Sequence, residues 1–86
     1  MLIVMAPSQC RGARALLAMT QPRLATIASV GLSTVVDFER ERRSVSEEAI
    51  WKMQRALENA GIDFIPENGG GPGVRLRKPI KQRPQR

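Results

Sequence analysis

Histidine is absent from this chain of 86 residues, and Cys10 is its one cysteine. These absences exclude Ser-His, Cys-His and Cys-Cys catalysis, a disulfide within the chain, and zinc sites built on imidazole or paired thiolates. Long hydrophobic runs are missing too. The apolar run Leu2-Ile3-Val4-Met5-Ala6 stops at Pro7 with no positive charge before it, far short of a secretory core or a membrane span. No export signal is visible, Met5 is an alternative start, and the expected setting is the cytoplasm, with Cys10 reduced and no membrane partner.

What is present is ordinary globular material, 42% hydrophobic and 26% charged. A chain of this length makes one small domain that buries roughly 60 to 65% of its unfolded surface. The net charge of +6 is unevenly placed. From Met1 to Gly73, eight basic residues meet eight acidic ones, and the whole excess follows Gly73. There Arg75, Arg77, Lys78, Lys81, Arg83 and Arg86 run without an acidic residue between them, which suits a polyanion such as nucleic acid or an acidic partner. Residues 78–86, with Pro79 and Pro84, are expected to form a disordered basic tail.

Four helical patterns precede a change of period. Pro7 or Ser8 opens the first, in which Cys10, Ala13, Leu16 and Leu17 recur at helical spacing and which ends near Met19. Thr20 is a good N-cap for a short second helix, with Pro22 early and Leu24, Ile27 and Ala28 as its apolar stripe. After Ser29-Val30-Gly31, a third helix runs from about Leu32 to Arg40 with Leu32, Val35 and Phe38 on one side. Ser33, Val36 and Asp37 fall on its other faces. Ser44 followed by Glu47 fits a capping box for a fourth helix that buries Ile50, Met53 and Leu57 and stops at Gly61. One core is expected from Cys10, Leu16, Leu17, Leu24, Ile27, Val35, Phe38, Ile50, Met53 and Leu57.

From Ile62 the period drops to two. Ile62 and Phe64 alternate with Asp63 and Ile65, and Val74 and Leu76 alternate with Arg75 and Arg77. Two strands joined by a glycine-rich loop make a β-hairpin that must lie on the helices or pair with another chain. The organisation is thus an N-terminal extension over 1–6, a helical domain over 7–61, a hairpin over 62–77 and the tail. Because Gly69-Gly70-Gly71-Pro72-Gly73 is followed by no Lys-Ser/Thr and opens no helix, it is a connection rather than a phosphate loop. Glu47 and Glu48 suit a helix N-terminus rather than an acid-base pair. No catalytic residue, metal site or cofactor is expected, so the chain reads as a non-enzyme. Trp51, beside the buried stripe of the fourth helix, is either a half-buried packing residue or an anchor for a partner.

The run Thr20-Gln21-Pro22-Arg23-Leu24-Ala25, followed by Thr34-Val35 and Phe38-Glu39-Arg40, resembles the helix-turn-helix of the Cro/lambda-repressor-type (XRE) regulators. Further segments, among them Gln9-Cys10-Arg11, Arg14-Ala15-Leu16-Leu17, Arg42-Arg43 and Ile62 to Arg77, resemble a subgroup of small bacterial regulators with a C-terminal strand pair. The likeness covers about Pro7 to Lys78. It implies a mainly α, four-helix lambda-repressor-like domain followed by a short β-hairpin, whose third helix enters the major groove. By position it implies DNA contacts from Gln21, Leu32, Ser33, Thr34, Asp37, Arg40, Arg42 and Arg43. Trp51, Phe64, Val74 and Leu76 are the candidate dimer interface.

This chain also departs from that family. Ser29 replaces a turn glycine, Gly31 a capping serine, Leu32 a polar reader and Glu41 another glycine. Two functions therefore stay open. One is a sequence-specific, nucleoid-associated transcriptional regulator of double-stranded DNA, acting as a homodimer on paired half-sites. The other is a helix-turn-helix-fold protein with weakened DNA binding that acts on another regulatory protein, as an antiactivator or antirepressor does.

Overall fold

Proline sets where the first helix begins. In the computed structural model, which describes residues 3–77, α1 (Pro7–Leu17) opens on Pro7, whose missing N–H is not needed in a first turn. The Gln9 side-chain oxygen accepts from the Ala6 N–H at 2.7 Å. Thr20 caps α2 (Gln21–Ala28), its hydroxyl accepting from the Arg23 N–H at 3.2 Å. Ser29, Val30 and Gly31 then turn the chain into α3 (Leu32–Arg40).

α4 (Glu47–Asn59) is capped by Ser46, whose hydroxyl accepts from the Ala49 N–H at 3.1 Å, and not by the expected box of Ser44 with Glu47. The physical reason lies in the two carboxylates. A cap at Ser46 places Glu47 and Glu48 at the first two helical positions, against the partial positive charge of the helix end. A cap at Ser44 would have moved both further into the helix. The chain leaves α4 through Gly61 at φ +111°, where a side chain would be strained.

β1 (Ile62–Ile65) pairs antiparallel with β2 (Gly73–Leu76), the expected hairpin, in a register that sets Ile62 opposite Leu76 and Phe64 opposite Val74. The hairpin lies on its own helices, β2 against α1 and β1 against α4. Gly12 permits this approach, since a Cβ there would stand 3.2 Å from a Val74 methyl. Gln9 Nε2 donates to the Ile65 and Gly73 carbonyls at 3.2 and 2.9 Å, fastening the loop end of the hairpin. At the other end the Arg77 guanidinium donates to the Glu58 and Ile62 carbonyls. The molecule is a mainly α four-helix body followed by a β-hairpin.

The core gathers Met5, Cys10, Ala13, Leu24, Ala25, Ala28, Val35, Phe38, Met53, Leu57 and Ile62, with Leu17 and Ile50 partly buried against it. Two expected core residues, Leu16 and Ile27, are not in it, nor is Leu32, expected on the same side of α3 as Val35 and Phe38. Leu16 and Leu32 are each 45% exposed and Ile27 36%. The buried stripe of α1 runs through Cys10, Ala13 and Leu17, and Leu16 lies to one side of it just before the helix ends. In α2 the inward residues are Leu24, Ala25 and Ala28, which turns Ile27 onto the shoulder. In α3 they are Val35, Phe38 and Glu39, which turns Leu32 outward. Before α1, Met5 enters the core and the Val4 N–H donates to Gln54 Oε1 at 2.9 Å.

Candidate nucleic-acid interface

An acidic residue ties α1 and α2 to α3. Glu39, 2% exposed on the inner side of α3, accepts from Arg14 Nε and Nη2 at 2.7 Å each, from Gln21 Nε2 at 3.0 Å and from Cys10 Sγ at 3.1 Å. Arg14 also donates to the Met19 carbonyl at 3.0 Å, and Arg11 to the Glu39 carbonyl. One carboxylate thus binds side chains from α1 and α2 to α3. Burial alone would raise its pKa, but the hydrogen bonds from Arg14, Cys10 and Gln21, with the Arg14 charge, outweigh burial and hold it below the ordinary value. Burial, then the hydrogen bond and the negative charge of Glu39, push the Cys10 thiol up, so it stays protonated.

With Val35, Phe38 and Glu39 turned inward, α3 presents Leu32, Ser33, Val36, Asp37 and Arg40 along its other side. Leu32, Ser33 and Arg40 are exposed, and Thr34, Val36 and Asp37 half-buried. Gln21 opens α2 and spends one amide N–H on Glu39, which leaves its second N–H for another acceptor. Asp37 does not stand as a free anion. Arg43 Nε donates to its Oδ2 at 2.8 Å, so Arg43 is engaged and the charge of Asp37 is balanced. Exposed Arg40 and Arg42 have no ion pair among the described residues. The same is true of Arg23 in the first turn of α2, which sequence reasoning left out of the site.

The candidate dimer residues fall into two groups. Phe64, Val74 and Leu76 pack against the core of their own chain, which supplies the burial that motivated a dimer through them. Trp51 is half-buried on α4, with Arg55 5.9 Å above its ring centre, beside a groove of about 370 Å³ shared with Gln54, Arg55 and Glu58. Arg75 and Arg77, expected to run unopposed, both reach Asp63, at 3.6 and 3.2 Å, because the strand register sets Arg75 across from it. The rest of the basic tail lies outside the described residues.

Sequence reasoning found the exposed residues of α3 but not the anchoring of Glu39. Arg11 and Arg14 stand off the apolar stripe of α1 and carry no local sign of a partner 25 residues or more away. Among the described residues no helix is long and apolar enough to cross a membrane. No protein-family model matches the chain, and no curated protein matches it.

Proposed function

We propose that the protein is a sequence-specific DNA-binding transcriptional regulator that lays α3 in the major groove and acts as a homodimer on paired half-sites. The observation that carries this reading is the mounting of α3. Its inner Glu39 is gripped by Cys10, Arg14 and Gln21, while Leu32, Ser33, Val36 and Asp37 stand on the other side, beside Arg40 and Arg42. A helix held this way keeps its register while its outer side chains meet base edges. Arg40 and Arg42 sit where phosphates flank such a helix, and Arg23 and the spare N–H of Gln21 supply donors at the start of α2. The pairing of Asp37 with Arg43 removes a repulsion that a bare carboxylate would create.

The test is a titration of the full chain on duplexes selected from a randomised pool, at several salt concentrations. Replacing Arg40 and Arg42 by alanine removes up to about four phosphate contacts in a dimer. The log-log salt slope then becomes shallower by roughly 3 to 4 units, at about 0.9 per contact. Absence of any preferred sequence, with slopes equal in the two proteins, overturns the reading.

A second reading is favoured by exposed Leu32, an apolar side chain where a polar reader is usual, together with the neutralised Asp37-Arg43 pair. In it the same face binds another regulatory protein. Sequence-independent binding that is lost at moderate salt, together with a protein complex abolished by Leu32→Ser, would establish it.

A further inference from the structure

Building on the reading of α3 as a DNA-recognition helix, we infer that it chooses its site through thymine methyl groups, which Leu32 and Val36 contact, and not through paired hydrogen bonds to purines. Leu32 and Val36 are four residues apart, so they stand one above the other on the same side of the helix. Leu32 is nearly half exposed, and Val36 lies half-buried beside it. An apolar pair in that place has water as its alternative, and the thymine C5-methyl is the one apolar group that the unmodified major groove offers.

The polar side chains nearby do not supply a competing code. Between Leu32 and Asp37 there is no arginine, lysine, asparagine or glutamine, the residues that form two-pronged contacts with guanine or adenine. Ser33 is a short hydroxyl able to serve several bases. Asp37 keeps Oδ1 for a cytosine amino group, but that is a single acceptor contact, because its Oδ2 holds Arg43 at 2.8 Å and Arg43 also donates to the Ser44 carbonyl. Arg40 is the last residue of the helix, whereas the N-terminal residues of a recognition helix reach deepest towards the bases. Discrimination then falls to the two apolar side chains, and the preferred half-site contains thymines facing α3.

Deoxyuridine tests this directly, because it removes the methyl group and leaves every hydrogen-bonding group of thymine in place. Duplexes recovered from a randomised pool with the full-length protein are remade with deoxyuridine at one thymine position at a time, and Kd is measured at fixed salt. The expected result is about fourfold weaker binding at each thymine that faces Leu32 or Val36, the effect of one buried methyl group. Leu32→Ala or Val36→Ala then erases the difference between thymine and deoxyuridine at its own position while leaving the salt slope unchanged. Equal binding of thymine and deoxyuridine duplexes by a protein that still prefers one sequence overturns the inference and leaves the DNA-binding reading intact. Recovery of no preferred sequence overturns both.

Discussion

Arg14 and Glu39 meet in a two-pronged ion pair, with both guanidinium-carboxylate distances 2.7 Å, although 25 residues separate them in the chain. The pair ties α1 to α3, and its acidic member is almost fully buried. Removing one partner leaves the other charge without compensation. Arg14→Met is therefore expected to destabilise the fold by about 3 kcal/mol in urea unfolding. The double variant Arg14→Met with Glu39→Met should recover part of that loss, because it leaves neither charge stranded.

The Glu39 carboxyl also gives stability a dependence on acid. Its folded-state pKa lies below the ordinary value of 4.5, so its contribution is fully present above that value and is lost as pH falls towards its folded-state pKa. Denaturant midpoints should fall between pH 5 and pH 3, and Glu39→Gln should flatten that fall. Cys10 acts at the other end of the scale. Its folded-state pKa is raised, so above about pH 9.0, where an unfolded thiol ionises, stability declines, and Cys10→Ala should remove that decline.

Three helix ends carry side chains in the left-handed region, Ala18 at φ 53°, Ser29 at 59° and Glu41 at 57°. A residue with a Cβ is strained there, and glycine is not. Ser29→Gly and Glu41→Gly are each expected to raise stability by about 0.5 to 1 kcal/mol in thermal or urea unfolding. On the proposed function, Glu41→Gly also tightens DNA binding at low salt, because it takes an anion away from Arg40 and Arg42; unchanged affinity would count against that reading.

Leu57 and Leu16 set the two extremes of leucine truncation. Leu57 is fully buried on α4, and Leu57→Ala should destabilise by about 2 to 5 kcal/mol. Leu16 is 45% exposed, and Leu16→Ala should change stability by less than about 0.5 kcal/mol. Equal losses at the two positions would contradict the packing described for α1.

Local chemistry was enough to place the elements. Pro7, the Thr20 hydroxyl and Gly61 mark helix boundaries through interactions with their immediate neighbours, and the alternation from Ile62 to Ile65 and from Gly73 to Leu76 gives the hairpin its two strands and its apolar face. The exposure of Ser33 and Arg40 likewise follows from helical spacing once α3 is placed. These signals act over a few residues, so a linear reading contains them.

Tertiary packing decided the rest. Whether Leu16, Ile27 and Leu32 are covered depends on which side of each short helix its neighbours occupy, and a helix of two or three turns has apolar residues on more than one side. The cap of α4 is a local exception, since Ser44 and Ser46 are both competent and the choice follows from the adjacent Glu47 and Glu48. The gathering of Cys10, Arg14 and Gln21 on Glu39 and the pairing of Arg43 with Asp37 require the folded chain, because a charged side chain reveals its partner only when the backbone has brought the two together. The sequence by itself determined the order of helices and strands, most of their boundaries, and that Ser33, Val36 and Asp37 lie off the buried side of α3. The tertiary structure decided how that helix is held, and which of its charges remain available to another molecule.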